Sequence, residues 1–349
     1  IESVGLNEDF FELGGHSMLA VRLMSRIETE FGQRLSPATL MRARTVDDLA
    51  TAIRSGEGQS DWESVVPIRL AGSQSPIFLM HAAGGNLLVY EELARHLEPN
   101  RPVYGLQSQG LDGKKPLHRT VEEMAAAYRQ EIQQIQPHGP YFLGGYCMGG
   151  TIALEVATQL KEQGEEVGLL ALIDTHNWAE IPKQSPAKNL RHHWQRGYYH
   201  ASNMLSLKGG DRRRFLQGKL SELKRRKGVW AGAIAARFGR RKQESGHQHA
   251  IAAVWANNDR VAALYRPRPY PGVITQFVPA KNYSRLRGEE VRWDPIAKEG
   301  VDRETLPVLP AGLLMEPYVQ LLAAEISKRV HSHRQDRDSL QQLAAPPPA

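Results

Sequence analysis

Residues 140–160 read PYFLGGYCMGGTIALEVATQL. An apolar run, Tyr141-Phe142-Leu143, enters a glycine-rich turn, and the turn enters an apolar-periodic helix. Gly145 and Gly149 flank Cys147 at the offsets of the strand–turn–helix motif Gly-x-Ser-x-Gly, the nucleophile elbow, with cysteine in the serine's place. Such a turn strains the backbone of its central residue, and glycines two before and two after let neighbouring backbone pass closely. Beyond it, Ile152, Ala153, Val156, Ala157 and Leu160 share one helix face. Cys147 then stands at a helix N-terminus, where the dipole is expected to favour thiolate and lower the thiol pKa. The Met148 N–H points to the same place and supplies half of an oxyanion hole. The competing reading is a buried structural thiol, because free cysteine is often a core residue.

Short apolar runs recur at 76–80, 102–106, 168–174 and 272–278, with helical segments near 86–97, 120–136 and 150–163. This alternation predicts an α/β fold, a mostly parallel sheet covered by helices on both faces. Asp174 closes the run GLLALID, which places a carboxylate at a strand end. Residues 183–255 interrupt the pattern with a helix-prone insertion, and a last helix is expected at 315–330. From 331 to 349 the chain is polar and then proline-rich, which predicts a disordered tail. Residues 1–55 read as all-helical. Ala20, Leu23, Met24, Ile27 and Phe31 fall on one face, and Thr45 with Asp48 has the spacing of a capping box. Residues 56–66 read as a linker.

The 349 residues accommodate a large domain and a smaller one. A single cysteine excludes a disulfide framework and points to a reducing, cytoplasmic setting. No apolar run approaches the roughly 20 residues needed to span a bilayer, and the chain opens on IESVGLNEDF without Met, as expected of a piece of a longer polypeptide. Residues 183–242 hold 17 Lys and Arg against 2 Asp and Glu, which leaves the rest of the chain net acidic. No nucleic-acid motif accompanies this block, so it reads as a solvated helical face. No metal-ligand spacing stands out.

DFFELGGHSMLAVRL at 9–23, together with VGLNEDFFELGG at 4–15 and LMRARTVDDLA at 40–50, resembles the carrier-protein domain of nonribosomal peptide and polyketide synthetases. The resemblance implies 4′-phosphopantetheine attached to Ser17 by a phosphopantetheinyl transferase. That family has a further helix before the segment matching Val4-Gly5-Leu6, so the domain at 1–55 is expected to be N-terminally truncated. From the residues alone, Ser17 is a helix N-cap held by two glycines, where a dipole end suits an incoming phosphate.

Residues 76–330 resemble the type I thioesterase domain that ends such synthetases, through IFLMHAAGGN, PYFLGGYCMGGTIALEVATQL, GLLALIDT and YPGVITQF. The resemblance implies an α/β-hydrolase at 67–330 with a helical lid at 183–255. It makes Cys147 the nucleophile, Asp174 the acid and Ala82 the second oxyanion donor. The implied function is release of an acyl or peptidyl chain, by hydrolysis or cyclisation, from a carrier loaded by upstream modules. The family's histidine belongs just before the last helix, but LPVLPAGLL at 306–314 contains none, and Pro310 occupies the slot. His81 and His176 are the nearest substitutes in sequence. A thiolate attacks a thioester without a base, whereas deacylating water gains about 10²–10⁴-fold from one. Slow release is therefore expected, and the second reading is a hydrolase-fold domain that binds carrier or acyl chain without turnover.

Overall fold

The computed structural model describes residues 4–15, 17–56, 63–177, 246–280, 293–308 and 312–344. The chain divides into two compact units. The first includes residues 1–61, where every described element is helical. Helix α1 (Ser17–Phe31) buries Ala20, Met24 and Ile27, and a 3₁₀ turn (Pro37–Met41) is buried throughout. Helix α2 (Val46–Arg54) starts at the expected capping box: the Thr45 hydroxyl accepts from the Asp48 N–H at 3.1 Å, and the Asp48 carboxylate accepts from the Thr45 N–H at 3.3 Å. Phe31 departs from its expected place on the buried face. It is the last residue of α1, beyond the reach of the small core, and is 62% exposed.

The second unit holds a seven-stranded sheet in the order β1-β3-β2-β4-β5-β6-β7. Its strands are β1 (Val65–Arg69), β2 (Ile77–Met80), β3 (Val103–Leu106), β4 (Tyr141–Tyr146), β5 (Val167–Ile173), β6 (Ile274–Pro279) and β7 (Val301–Leu306). Only β1 runs antiparallel to its neighbour. Between them run α3 (Glu91–His96), α4 (Val121–Ile135), α5 (Met148–Glu162) and α6 (Gly246–Leu264, of which residues 253–264 belong to this unit), and α7 (Val319–Ala344) follows β7. The five expected strands are present. The two unexpected ones are the edges, β1 with Pro67 inside it and β7 with the polar sequence VDRETL. Edge strands tolerate proline and charge, so neither shows an apolar run.

Helix α5 buries Ile152, Ala153, Val156, Ala157 and Leu160 completely, as its periodicity predicts. It also buries Glu155, whose carboxylate accepts from the Tyr265 hydroxyl at 2.8 Å and from Arg268 at 2.9 Å. Helix α7 corrects the disordered tail expected from 331: it continues to Ala344 because His331 to Ala344 contains neither glycine nor proline to stop it. The expected lid boundary at 255 falls inside α6, and the rest of the expected lid, to residue 245, lies outside the described residues. Among the described residues no helix is long and apolar enough to cross a membrane.

Candidate active site

Strands β4 and β5 are parallel neighbours with Tyr146 opposite Ile173, so the residues that follow them, Cys147 and Asp174, emerge together at the carboxyl end of the strands. The Cys147 N–H donates to the Ile173 carbonyl at 2.9 Å, and the Asp174 N–H donates to the Phe277 carbonyl at 2.9 Å. Cys147 has φ 55° and Asp174 has φ 44°, and among the described residues no other non-glycine residue has positive φ. Each such conformation costs of order 1–3 kcal/mol and persists only where the surroundings impose it.

The elbow glycines are sterically required. A Cβ on Gly145 would lie 2.1 Å from the Gly149 carbonyl carbon, and one on Gly149 would lie 2.2 Å from the Met80 carbonyl oxygen. Both obstacles are backbone, so Gly149→Ala is expected to destabilise the domain by at least ~1–3 kcal/mol. A urea midpoint equal to that of the unmodified chain would contradict this tight seating of α5 on β2.

Met148 follows Cys147 as the first residue of α5, and its N–H favours the thiolate form of the neighbouring sulfur. Ala82 begins the turn after β2, closed by the Gly85 N–H donating to the Ala82 carbonyl at 2.8 Å. One phenol ties the two strand ends together: the Tyr90 hydroxyl donates to the Met80 carbonyl and accepts from the Tyr146 N–H at 2.8 Å.

The thiol is not activated as the helix dipole alone predicts. Burial pushes the Cys147 thiol up to about 12. The Asp174 and Asp259 carboxylates push in the same direction, and the Met148 N–H opposes them. Burial likewise raises the Asp174 carboxyl to about 7. The expected lowering is reversed because a buried thiol near two carboxylates loses more from desolvation and repulsion than one N–H returns.

Of the two substitute histidines, His81 is fully buried with its ring nitrogens 2.8 Å from the Ala82 carbonyl and 2.8 Å from the Tyr128 hydroxyl. Burial lowers it to about 4, so the neutral ring donates from Nδ1 to Ala82, and its Nε2 faces the Tyr128 hydroxyl, whose one proton is shared with the Gln107 carbonyl at 3.1 Å. With both nitrogens occupied it is a structural residue. His176 is also buried and lowered to about 4, with Nε2 3.8 Å from the Asp174 carboxylate. Pro310 lies outside the described residues.

Ser17 is the first residue of α1 rather than the N-cap before it. The position at a 15-residue helix N-terminus suits a phosphate ester. Sequence reasoning missed Asp259, Asn258 and Trp255, all on α6, because the insertion masked the face that this helix turns to the sheet. It also missed Tyr90, whose role depends on a hydroxyl spanning two strands. Glu92, His96 and Glu316 bring possible metal ligands within 4.8 Å of one another, but His96 already pairs with Glu316, and Arg95 with Glu91 and Glu92.

Residues 75–195 match the family model described as thioesterase domain, and residues 1–53 match that described as phosphopantetheine attachment site. A dimodular nonribosomal peptide synthase of Bacillus subtilis (strain 168) is 42% identical over 184 residues, 52% of this chain and 8% of that protein. A crystal structure of a holo four-domain nonribosomal peptide synthetase, bound to AMP and glycine, aligns with TM-score 0.61 and 29% identity over 94% of this chain and 25% of that one. The NocB thioesterase domain in covalent complex with a fluorophosphonate nocardicin G analog shares the fold, with TM-score 0.51 and 23% identity over 74% of this chain and 96% of that one. The chain thus spans a small fraction of the curated relative. Residues 1–53 and 75–195 carry a phosphopantetheine attachment site and a thioesterase domain, similar to those of nonribosomal peptide synthetases, and the serine of the former is the attachment point for 4′-phosphopantetheine.

Proposed function

We propose that Cys147 takes an acyl or peptidyl chain from a pantetheine thiol and passes it to water or to a nucleophile within the chain itself. The observation that supports this reading is the positive φ of Cys147 at the N-terminus of α5, beside the end of β5 where Asp174 also has positive φ. Transfer from one thiol to another is near thermoneutral, so positioning and two oxyanion donors, Met148 N–H and Ala82 N–H, are the main help needed. Asp174 is the acid of the site. Ser17, modified by a phosphopantetheinyl transferase, is the carrier position. The prosthetic group supplies the thioester, and the chain's own residues position and receive the acyl group. Upstream synthetase modules supply the chain.

The test is intact mass spectrometry after incubation with an acyl-pantetheine thioester. A covalent acyl adduct is expected on the unmodified chain and none on Cys147→Ala. An unmodified chain that stays free of adduct while releasing no product would remove the enzyme reading. The second reading, a domain that holds carrier or acyl chain without turnover, draws on the thiol pKa of about 12, which leaves the nucleophile protonated at neutral pH.

A further inference from the structure

Helix α6 meets the turn after β2 at three consecutive residues. Asn258 is fully buried, and its Nδ2 donates to the Ala83 carbonyl at 3.1 Å. A Cβ on Gly84 would lie 3.1 Å from the Trp255 ring, and one on Gly85 would lie 2.6 Å from Val254. The bond from the Gly85 N–H to the Ala82 carbonyl makes Ala82–Gly85 a β-turn with Ala83 and Gly84 at its centre. The peptide between the two central residues is the part of a β-turn whose rotation converts type I to type II and reverses a carbonyl. Glycine at the third position admits both forms. Gly84 is not among the glycines with positive φ, which fits the type I form, and the carbonyl so fixed is the one Asn258 holds.

The asparagine amide is used on one side only: its Nδ2 donates to Ala83, while its Oδ1 is buried with no hydrogen-bond partner among the described residues, so what the side chain contributes here is its donor.

We propose that Asn258 is a positioning residue for chain transfer: by tethering the Ala83 carbonyl to α6 it holds in place the turn whose first residue, Ala82, presents its N–H to the developing oxyanion. The inference rests on the reading of Cys147 as nucleophile and Ala82 as donor. In that step the Cys147 sulfur gives up its proton and bonds the thioester carbon, while the carbonyl π pair moves to oxygen, where the two N–H groups meet it. The pair returns, the bond to the pantetheine sulfur breaks, and that thiolate takes up the proton.

Asn258→Leu keeps the branched shape and removes the donor, and two rates measured on the full chain test it. Acylation of Cys147 by an acyl-pantetheine thioester develops an oxyanion, whereas alkylation by iodoacetamide, a displacement at a saturated carbon, does not. Acylation is expected to fall roughly ten- to a hundredfold while alkylation stays within about twofold. The smaller Asn258→Ala is expected to show the same split. Equal acylation in variant and unmodified chain overturns the role of Asn258 alone, as does a parallel fall in both rates, the mark of a merely structural residue. Absence of acylation in the unmodified chain overturns the nucleophile and this inference with it.

Discussion

Iodoacetamide is expected to alkylate Cys147 about a hundredfold more slowly at pH 8 than it alkylates an unhindered thiol, with the rate still climbing above pH 10. A thiol pushed up to about 12 is protonated through the neutral range. At pH 8 its thiolate fraction is about 10⁻⁴, against about a quarter for a free thiol of pKa about 8.5, a loss of roughly 10³. The more basic thiolate is also the better nucleophile, which returns about thirtyfold and leaves the net figure. The sign of the variants follows from the two carboxylates that raise the thiol. Asp174→Asn and Asp259→Asn each remove a repelling charge, so each lowers the apparent pKa and speeds alkylation at pH 8. The measurement is the alkylation rate against pH by mass spectrometry. A rate that levels off below pH 9 would mean that the helix N-terminus governs the sulfur after all.

Release is expected to lag behind transfer, and Pro310→His to quicken it by roughly 10² or more. Water must lose a proton as it attacks the acyl-Cys147, and the described site offers little to take it. His81 has both ring nitrogens engaged. His176, lowered to about 4 by burial, is a poor base although it lies beside Asp174. Position 310 falls between β7 and α7, the place from which the family resemblance has an imidazole reach the acid. An adduct that forms in the first turnover and then accumulates is the expected course for the unmodified chain, read by mass spectrometry over time. Steady turnover without adduct would reveal a working base, and His176→Ala is the variant that would identify it.

What the sequence made legible depended on how local the cause was. β2 to β6 lie inside the sheet, and their apolar runs announce them. The edges β1 and β7 are built from VVPIR and VDRETL and carry no such sign. Cys147, Met148 and Asp174 are placed by backbone turns only a few residues long, which a short motif specifies. The charge state of the sulfur is not local. It depends on burial and on Asp259, a residue of a helix whose inner face no motif marks. The same holds for Asn258: its bond to Ala83 joins segments far apart in the chain. The extent of α7 was lost for a simpler reason, because polar composition was read as disorder where nothing breaks the helix.

The two left-handed side chains carry a lesson for anyone who would engineer this chain. A designer choosing residues for comfort would put glycine at 147 and at 174, since only glycine enters that region without a Cβ penalty. Programmes that harden proteins by relieving awkward backbone would therefore select these two sites first, and each repair would delete a member of the candidate centre. A thermostable descendant has to draw its gains from elsewhere, such as the exposed Phe31 or the polar rim at β7, and leave the discomfort at the strand ends in place.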